Sequence, residues 1–217
     1  MKGKSLKGRL RPHLWYQAYW FVYLIWFFTL DALVQDPKYI IHSPLDDYIP
    51  FNEWFVFPYC SWFVLLALVL ALLWWNDTPS YDRLCLSMFS GMSLCLILYM
   101  LFPNGLQLRP DPATLGRDNP ALRLLWAADS SNNVCPSIHC QSTGCMALAM
   151  WYSSLAYHHR WIRPVAAVWA AAICASTLFT KQHAVVDVVM GLAMAAVWLP
   201  VFRRRWKKLE QNHKNLV

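Results

Sequence analysis

The chain has 217 residues, a formal net charge of +7, and a composition that is 58% hydrophobic with only 14% charged side chains. That is too apolar for an ordinary soluble domain, and its 13 Trp, 10 Tyr and 11 Phe suit the headgroup depth of a bilayer. The positive charge could suggest a nucleic-acid partner, but its distribution along the chain fits membrane topology instead, and no nucleic acid is expected.

The chain opens on a basic tail with Lys2, Lys4, Lys7, Arg9 and Arg11. A first membrane span is predicted over about 14–34. It is long, aromatic-rich and lacks a small-residue cleavage site, so a signal peptide is not expected. An acidic, Pro-bearing loop follows, with Asp36, Asp46, Asp47 and Glu53. The second span is predicted over 55–75 and the third over 84–102, joined by a short turn carrying Thr78-Pro79-Ser80. The longest polar segment comes next, over 103–137, with a possible interfacial helix at 120–128. The fourth, fifth and sixth spans are predicted over 139–157, 165–180 and 185–202, and the tail from Arg203 is basic again. Each run is near the ~20 residues needed to cross a bilayer, the fifth being the shortest. The expectation is one all-α integral membrane domain of six transmembrane helices over 1–217.

Positive charge sets the expected orientation. With both termini cytoplasmic, fourteen of the nineteen Lys and Arg fall in inner segments, the bias that cytoplasmic loops carry. The five outer cations are Lys38, Arg109, Arg117, Arg123 and Lys181. The run Arg203-Arg204-Arg205-Trp206-Lys207-Lys208 reads as a membrane-surface anchor. The seven Cys are scattered, mostly within apolar runs and with no CxxC spacing, and read as small buried hydrophobes.

This topology brings three polar stretches to the outer side: Gln107-Leu108-Arg109-Pro110, Cys135-Pro136-Ser137-Ile138-His139, and Thr180-Lys181-Gln182-His183 with Asp187. Ionisable groups at a membrane edge are costly and suggest a functional site. On a helix, His183 and Asp187 share one face, so Asp187 can hold one imidazole nitrogen and leave the other free to react or to bind metal. Arg109 and Lys181 can hold a tetrahedral oxyanion, one as a planar fork and the other as a point charge. Ser137 and N–H groups at a helix mouth can add donors. Two histidines allow one nucleophile and one general acid. His139, His183 and Asp187 could also suit zinc, but the nearby cations would repel a metal ion and attract phosphate. No metal and no cofactor are expected.

The three motifs together resemble the type 2 phosphatidic acid phosphatase superfamily, with Arg-Pro, Pro-Ser-x-His, and Ser…His-x-x-x-Asp in order. The third, Ser176-Thr177-Leu178-Phe179-Thr180-Lys181-Gln182-His183 followed by Asp187, looks like the branch that includes inositol phosphorylceramide synthases. The resemblance implies a six-helix bundle with an extracytoplasmic active site. It implies that His183 attacks phosphorus, Asp187 orients it, His139 protonates the leaving oxygen, and Arg109 and Ser137 bind phosphate oxygens. Three positions depart from the family pattern: Phe102 stands for a lysine, Thr177 for an arginine and Ile138 for a glycine. Lys181 is placed to supply a missing cation. The expected activity is hydrolysis of a lipid phosphate monoester or diphosphate, with membrane lipids as surroundings and partners. The alternatives are a headgroup phosphotransferase, or a transport or binding protein that retains an inactive site.

Overall fold

The computed structural model describes residues 13–34, 36–111 and 119–214. The basic tail up to Arg11, and Arg117, lie outside them. The described chain is helical apart from one short strand pair. In order it forms α1 (Leu14–Leu33), β1 (Tyr39–Ile40), α2 (Val56–Asn76), α3 (Thr78–Leu101), β2 (Asn104–Gly105), α4 (Pro120–Ala128), α5 (Ile138–Trp151), α6 (Ser154–His158), α7 (Ile162–Phe179), α8 (Val185–Ala196) and α9 (Leu199–Lys214). Two 3₁₀ turns, Pro44–Asp47 and Glu53–Phe55, shape the loop before α2. β1 and β2 pair in parallel through Tyr39–Asn104 and Ile40–Gly105, pinning that loop to the end of α3.

Three helices are long and apolar enough to cross a membrane: Glu53–Asn76, which includes the second 3₁₀ turn, Thr78–Leu101, and Ile162–Phe179. A fourth is possible if α8 and α9, bent by 41° at their junction, form one span. α1 is 20 residues long but does not reach the same apolarity. Its Trp15, Tyr16, Gln17, Tyr19, Trp20, Tyr23, Trp26 and Asp31 hold its hydropathy down.

Several boundaries differ from the sequence expectation, each for a local reason. α3 begins at Thr78 rather than near 84. Asp77 caps it by accepting from the Ser80 N–H at 3.2 Å, and Pro79 fits the first turn, where no N–H is needed. The fourth span does not run unbroken to 157, because α5 ends at Trp151. Ser153 turns the chain there: its hydroxyl donates to the Met150 carbonyl at 2.7 Å and accepts from the Ala156 N–H at 3.2 Å. Such local bonds compete with helix continuation. The sixth span breaks between Ala196 and Leu199, where Pro200 removes a helical N–H and its ring crowds the preceding turn.

α5 is the hub. It packs against α3, α7 and α8, while α1 lies on α3 and α2 on α7. Close approach to α8 depends on Gly191, whose position a Cβ would carry to 2.5 Å from the Ser137 carbonyl oxygen. The core between these helices holds Leu73, Leu84, Met88, Met92, Met146 and Ile173, all fully buried. This packing fixes the start of α5 beside the start of α8, where the second and third motifs meet.

Candidate active site

Ser137 caps α5: its Oγ accepts from the Cys140 N–H at 3.2 Å, and the residue is fully buried. Its own N–H donates to the Asp187 carbonyl at 3.1 Å, so the two motifs are stitched together through the backbone. His139 follows in the first turn of α5. His183 stands on the turn between α7 and α8, and its ring centroid is 5.9 Å from that of His139.

Asp187 lies in the first turn of α8 and is fully buried. Its Oδ2 accepts from the Ala184 N–H at 2.8 Å and faces His183 Nδ1 at 3.4 Å. Its Oδ1 has no hydrogen-bond partner among the described residues. The His183 contact is longer than the ~2.9 Å of a well-formed bond, as is common in sites without substrate. Burial pushes the His183 pKa down, but the hydrogen bond and charge of Asp187 outweigh it, and the net shift is upward. Asp187 thus favours the Nδ1-protonated ring and leaves Nε2 unprotonated.

Both imidazoles line a cavity of about 450 Å³. Its polar end carries Asp129, Gln182, His139 and His183. Apart from Asn132 and Asn133, the rest is mostly aromatic and aliphatic, with Trp20 and Phe27 from α1 and Phe63 and Leu66 from α2 among its walls. Polar groups converging at one end of an apolar cleft are the usual form of a small-molecule site.

Arg109, Ser137 and Lys181 do not line this cavity. Arg109 stands behind it. One terminal nitrogen donates to the Asp129 carbonyl at 2.6 Å and to the Gln182 side-chain oxygen, the guanidinium lies 5.8 Å from the Trp126 ring centroid, and Nε has no partner among the described residues. Burial pulls its pKa down, against the charges of Asp129, Tyr59 and Asp31. Lys181 is bonded away from this cavity. Its backbone is left-handed, with φ 56°, and its Nζ donates to the carbonyls of Asp46 at 2.8 Å and Ile49 at 2.6 Å. Asp46 in turn accepts from the Val185 N–H at 2.8 Å. The lysine clamps the loop before α2 onto the α7–α8 turn.

Tyr59, Asp129 and Gln182 were given no role in the sequence analysis. The Tyr59 hydroxyl donates to Asp129 Oδ2 and lies 3.3 Å from His139 Nδ1. With the tyrosine O–H directed at Asp129, His139 Nδ1–H can donate to the tyrosine oxygen, and its Nε2 is left unshared. Gln182 links Arg109 to the cavity, and its Nε2 is buried without a partner. The Cys135 thiol contacts the Met190 sulfur at 3.5 Å. Burial and the neighbouring Asp187 push its pKa up to about 12, which makes it a poor nucleophile.

These features define a class: a helical membrane protein with two histidines at the polar end of an apolar cleft, backed by a buried carboxylate on His183 and a guanidinium behind Gln182. The chain belongs to the PAP2 superfamily, whose family model matches residues 81–210 and so takes in all three motifs. Members of that superfamily are generally phosphatases, and membership supports a phosphatase-like function in a membrane protein. No curated protein and no solved structure matches the chain.

Proposed function

We propose that this protein is a membrane lipid phosphatase that cleaves a lipid phosphate monoester or diphosphate through a phosphohistidine at His183. The observation that carries the reading is the pairing of His183 with the buried Asp187, with His139 5.9 Å away across the head of one apolar-walled cavity. In this reading the lipid lies along the aromatic wall and its phosphate faces the two imidazoles. His183 Nε2 attacks phosphorus, the bond from phosphorus to the leaving oxygen breaks, and that oxygen takes a proton from His139. Water then attacks the phosphohistidine, giving its proton to His139 and releasing inorganic phosphate and neutral His183. Asp187 stabilises the charge that builds on the His183 ring. Arg109 acts on phosphate oxygens directly or through Gln182, and the Ser137 cap holds α5 so that N–H groups at its start face the same oxygens.

The proposed topology has six spans, with α1 and the α5–α6 pair completing the set. Both termini are cytoplasmic, and the histidines face outside or into a lumen. Rapid quenching with ³²P-labelled lipid phosphate tests the chemistry. Wild-type enzyme should hold acid-labile, base-stable label, and His183→Ala should hold none and release no phosphate. Label that persists in His183→Ala and vanishes in His139→Ala would reverse the two roles.

A further inference from the structure

A second cavity, of about 370 Å³, lies at the other end of the bundle. It is lined by Arg83 of α3 and by Val201, Arg204, Arg205, Lys207 and Lys208 of α9. Arg83 comes 18 residues before Leu101, where α3 reaches the loops around the histidines, so about 27 Å of helix separates the two ends.

Five cations therefore surround one hollow. The bias that keeps Lys and Arg on one side of a membrane explains their number, but it does not require them to face one another. Like charges repel, the more so where protein thins the water between them. The acids nearby are already engaged. Asp77 is fully buried and accepts from the Ser80 N–H and hydroxyl at 3.2 and 2.8 Å, the Ser154 N–H at 2.6 Å and one Arg205 nitrogen at 2.9 Å. Asp82 is paired with His13 at 3.0 Å, and Glu210 accepts from the Trp206 indole at 2.7 Å. Arg205 has a side chain only 13% exposed, and its Nε has no partner among the described residues. Arg205 keeps an unused N–H beside its bond to Asp77, and with four further cations around the same hollow it can take an acceptor with several oxygens.

We propose that this cavity binds a phosphate-bearing anion, either the headgroup of an anionic phospholipid or a free phosphorylated solute. Guanidinium forks match phosphate oxygens two at a time, and ammonium groups add point charge. Basic pockets between spanning helices at a membrane face are suited to phosphorylated headgroups. Val201 and the exposed Val197 above it offer an apolar path for acyl chains.

Two measurements on the purified full chain separate the sources. In native mass spectrometry, detergent-solubilised protein is offered equal phosphatidylglycerol and phosphatidylcholine. In the other arm, thermal unfolding is followed with methylenediphosphonate, which resists hydrolysis. Each is repeated with Arg83→Gln/Arg204→Gln and with Lys207→Gln/Lys208→Gln, the latter leaving the Asp77–Arg205 pair intact in case the former fails to fold. Selective retention of phosphatidylglycerol that falls severalfold in Lys207→Gln/Lys208→Gln supports a lipid ligand. No lipid selectivity, with a stabilisation by methylenediphosphonate that this double variant loses, supports a free phosphorylated ligand. If wild type and Lys207→Gln/Lys208→Gln behave alike in both arms, the proposal is overturned, whatever the enzyme hydrolyses.

Discussion

Gly191→Ala should separate the two halves of the site without altering any of its chemical groups. A Cβ at Gly191 would lie 2.5 Å from the Ser137 carbonyl oxygen, 3.1 Å from the Gln141 nitrogen and 3.3 Å from the Cys140 Cβ. The first two are backbone atoms at the start of α5 and cannot rotate aside. Carbon–oxygen contacts close at about 3.3 Å, so the helices must part by about 0.8 Å, the difference between 3.3 and 2.5. Ser137 is two residues from His139, and Asp187 is one helical turn before Gly191, so the displacement falls on the gap between the imidazoles. Catalytic groups tolerate roughly 0.5 Å of error, and ~1 Å can cost on the order of 100-fold in rate. The expectation is a drop in turnover of about 10- to 100-fold, with a stability loss of ~1–3 kcal/mol from overpacking. Phosphate release from a lipid phosphate in mixed micelles gives the first, and thermal unfolding followed by Trp fluorescence gives the second. Gly144→Ala is the control. Its Cβ would meet the Ala195 Cβ at 2.7 Å, on the same helix pair but two turns beyond the site, so it should cost stability with a much smaller loss of turnover. Normal activity and unfolding in Gly191→Ala, or an equal activity loss in both variants, would refute the argument.

Asp187→Asn should change the pH profile in a defined direction. The attacking His183 must be neutral, so activity rises with pH through its pKa, which Asp187 holds above the ordinary value. Without the carboxylate, burial is opposed only by the weaker effects of Cys140 and Asp129; the acidic limb of kcat/KM should move to lower pH while the maximal rate falls, and a limb that stays in place would contradict this role. Tyr59→Phe removes the hydroxyl between Asp129 and His139, and should lower turnover of alkyl phosphates by roughly 10-fold, about the value of one hydrogen bond to a charged group. Aryl phosphates with acidic phenols should be affected less; equal losses on both would make Tyr59 a packing residue only. Lys181→Met leaves two buried carbonyls unpaired, and should cost ~1–3 kcal/mol of stability per unsatisfied group at most. KM for lipid phosphate should change little, and a large rise in KM with unchanged unfolding would return Lys181 to phosphate binding.

What the sequence could disclose depended on how local the cause was. The short helix Pro120–Ala128 was legible at its start because Asn119 and Pro120 are an adjacent cap and first-turn proline. The pairing of His183 with Asp187 was legible because four residues on a helix bring side chains together. The break after Trp151 was not, since the apolar run continues past Ser153 and only a serine hydroxyl turns the chain. Pro200 was visible, but apolar residues on both sides hid the bend it makes. The direction of Lys181 could not be read either. Being two residues from His183 says nothing about where a left-handed residue sends its side chain, and its acceptors are more than 130 positions away. Tyr59 lay inside an apolar aromatic run, with its partner Asp129 70 residues distant. No local pattern connects such a pair until the helices are packed.

Leu24, Phe28 and Phe63 line the cavity and are also exposed on the outside of the bundle. In a bilayer, that side of the site faces acyl chains rather than water. For the lipid phosphate substrate proposed above, the quantity that sets encounter frequency is then the number of substrate molecules per unit area of leaflet. Diluting the substrate with inert lipid slows the enzyme even when the total amount in the tube is fixed. Adding more vesicles of unchanged composition leaves the rate per enzyme where it was. An active site built this way senses the make-up of its own membrane, because the surrounding lipid is both its solvent and its supply.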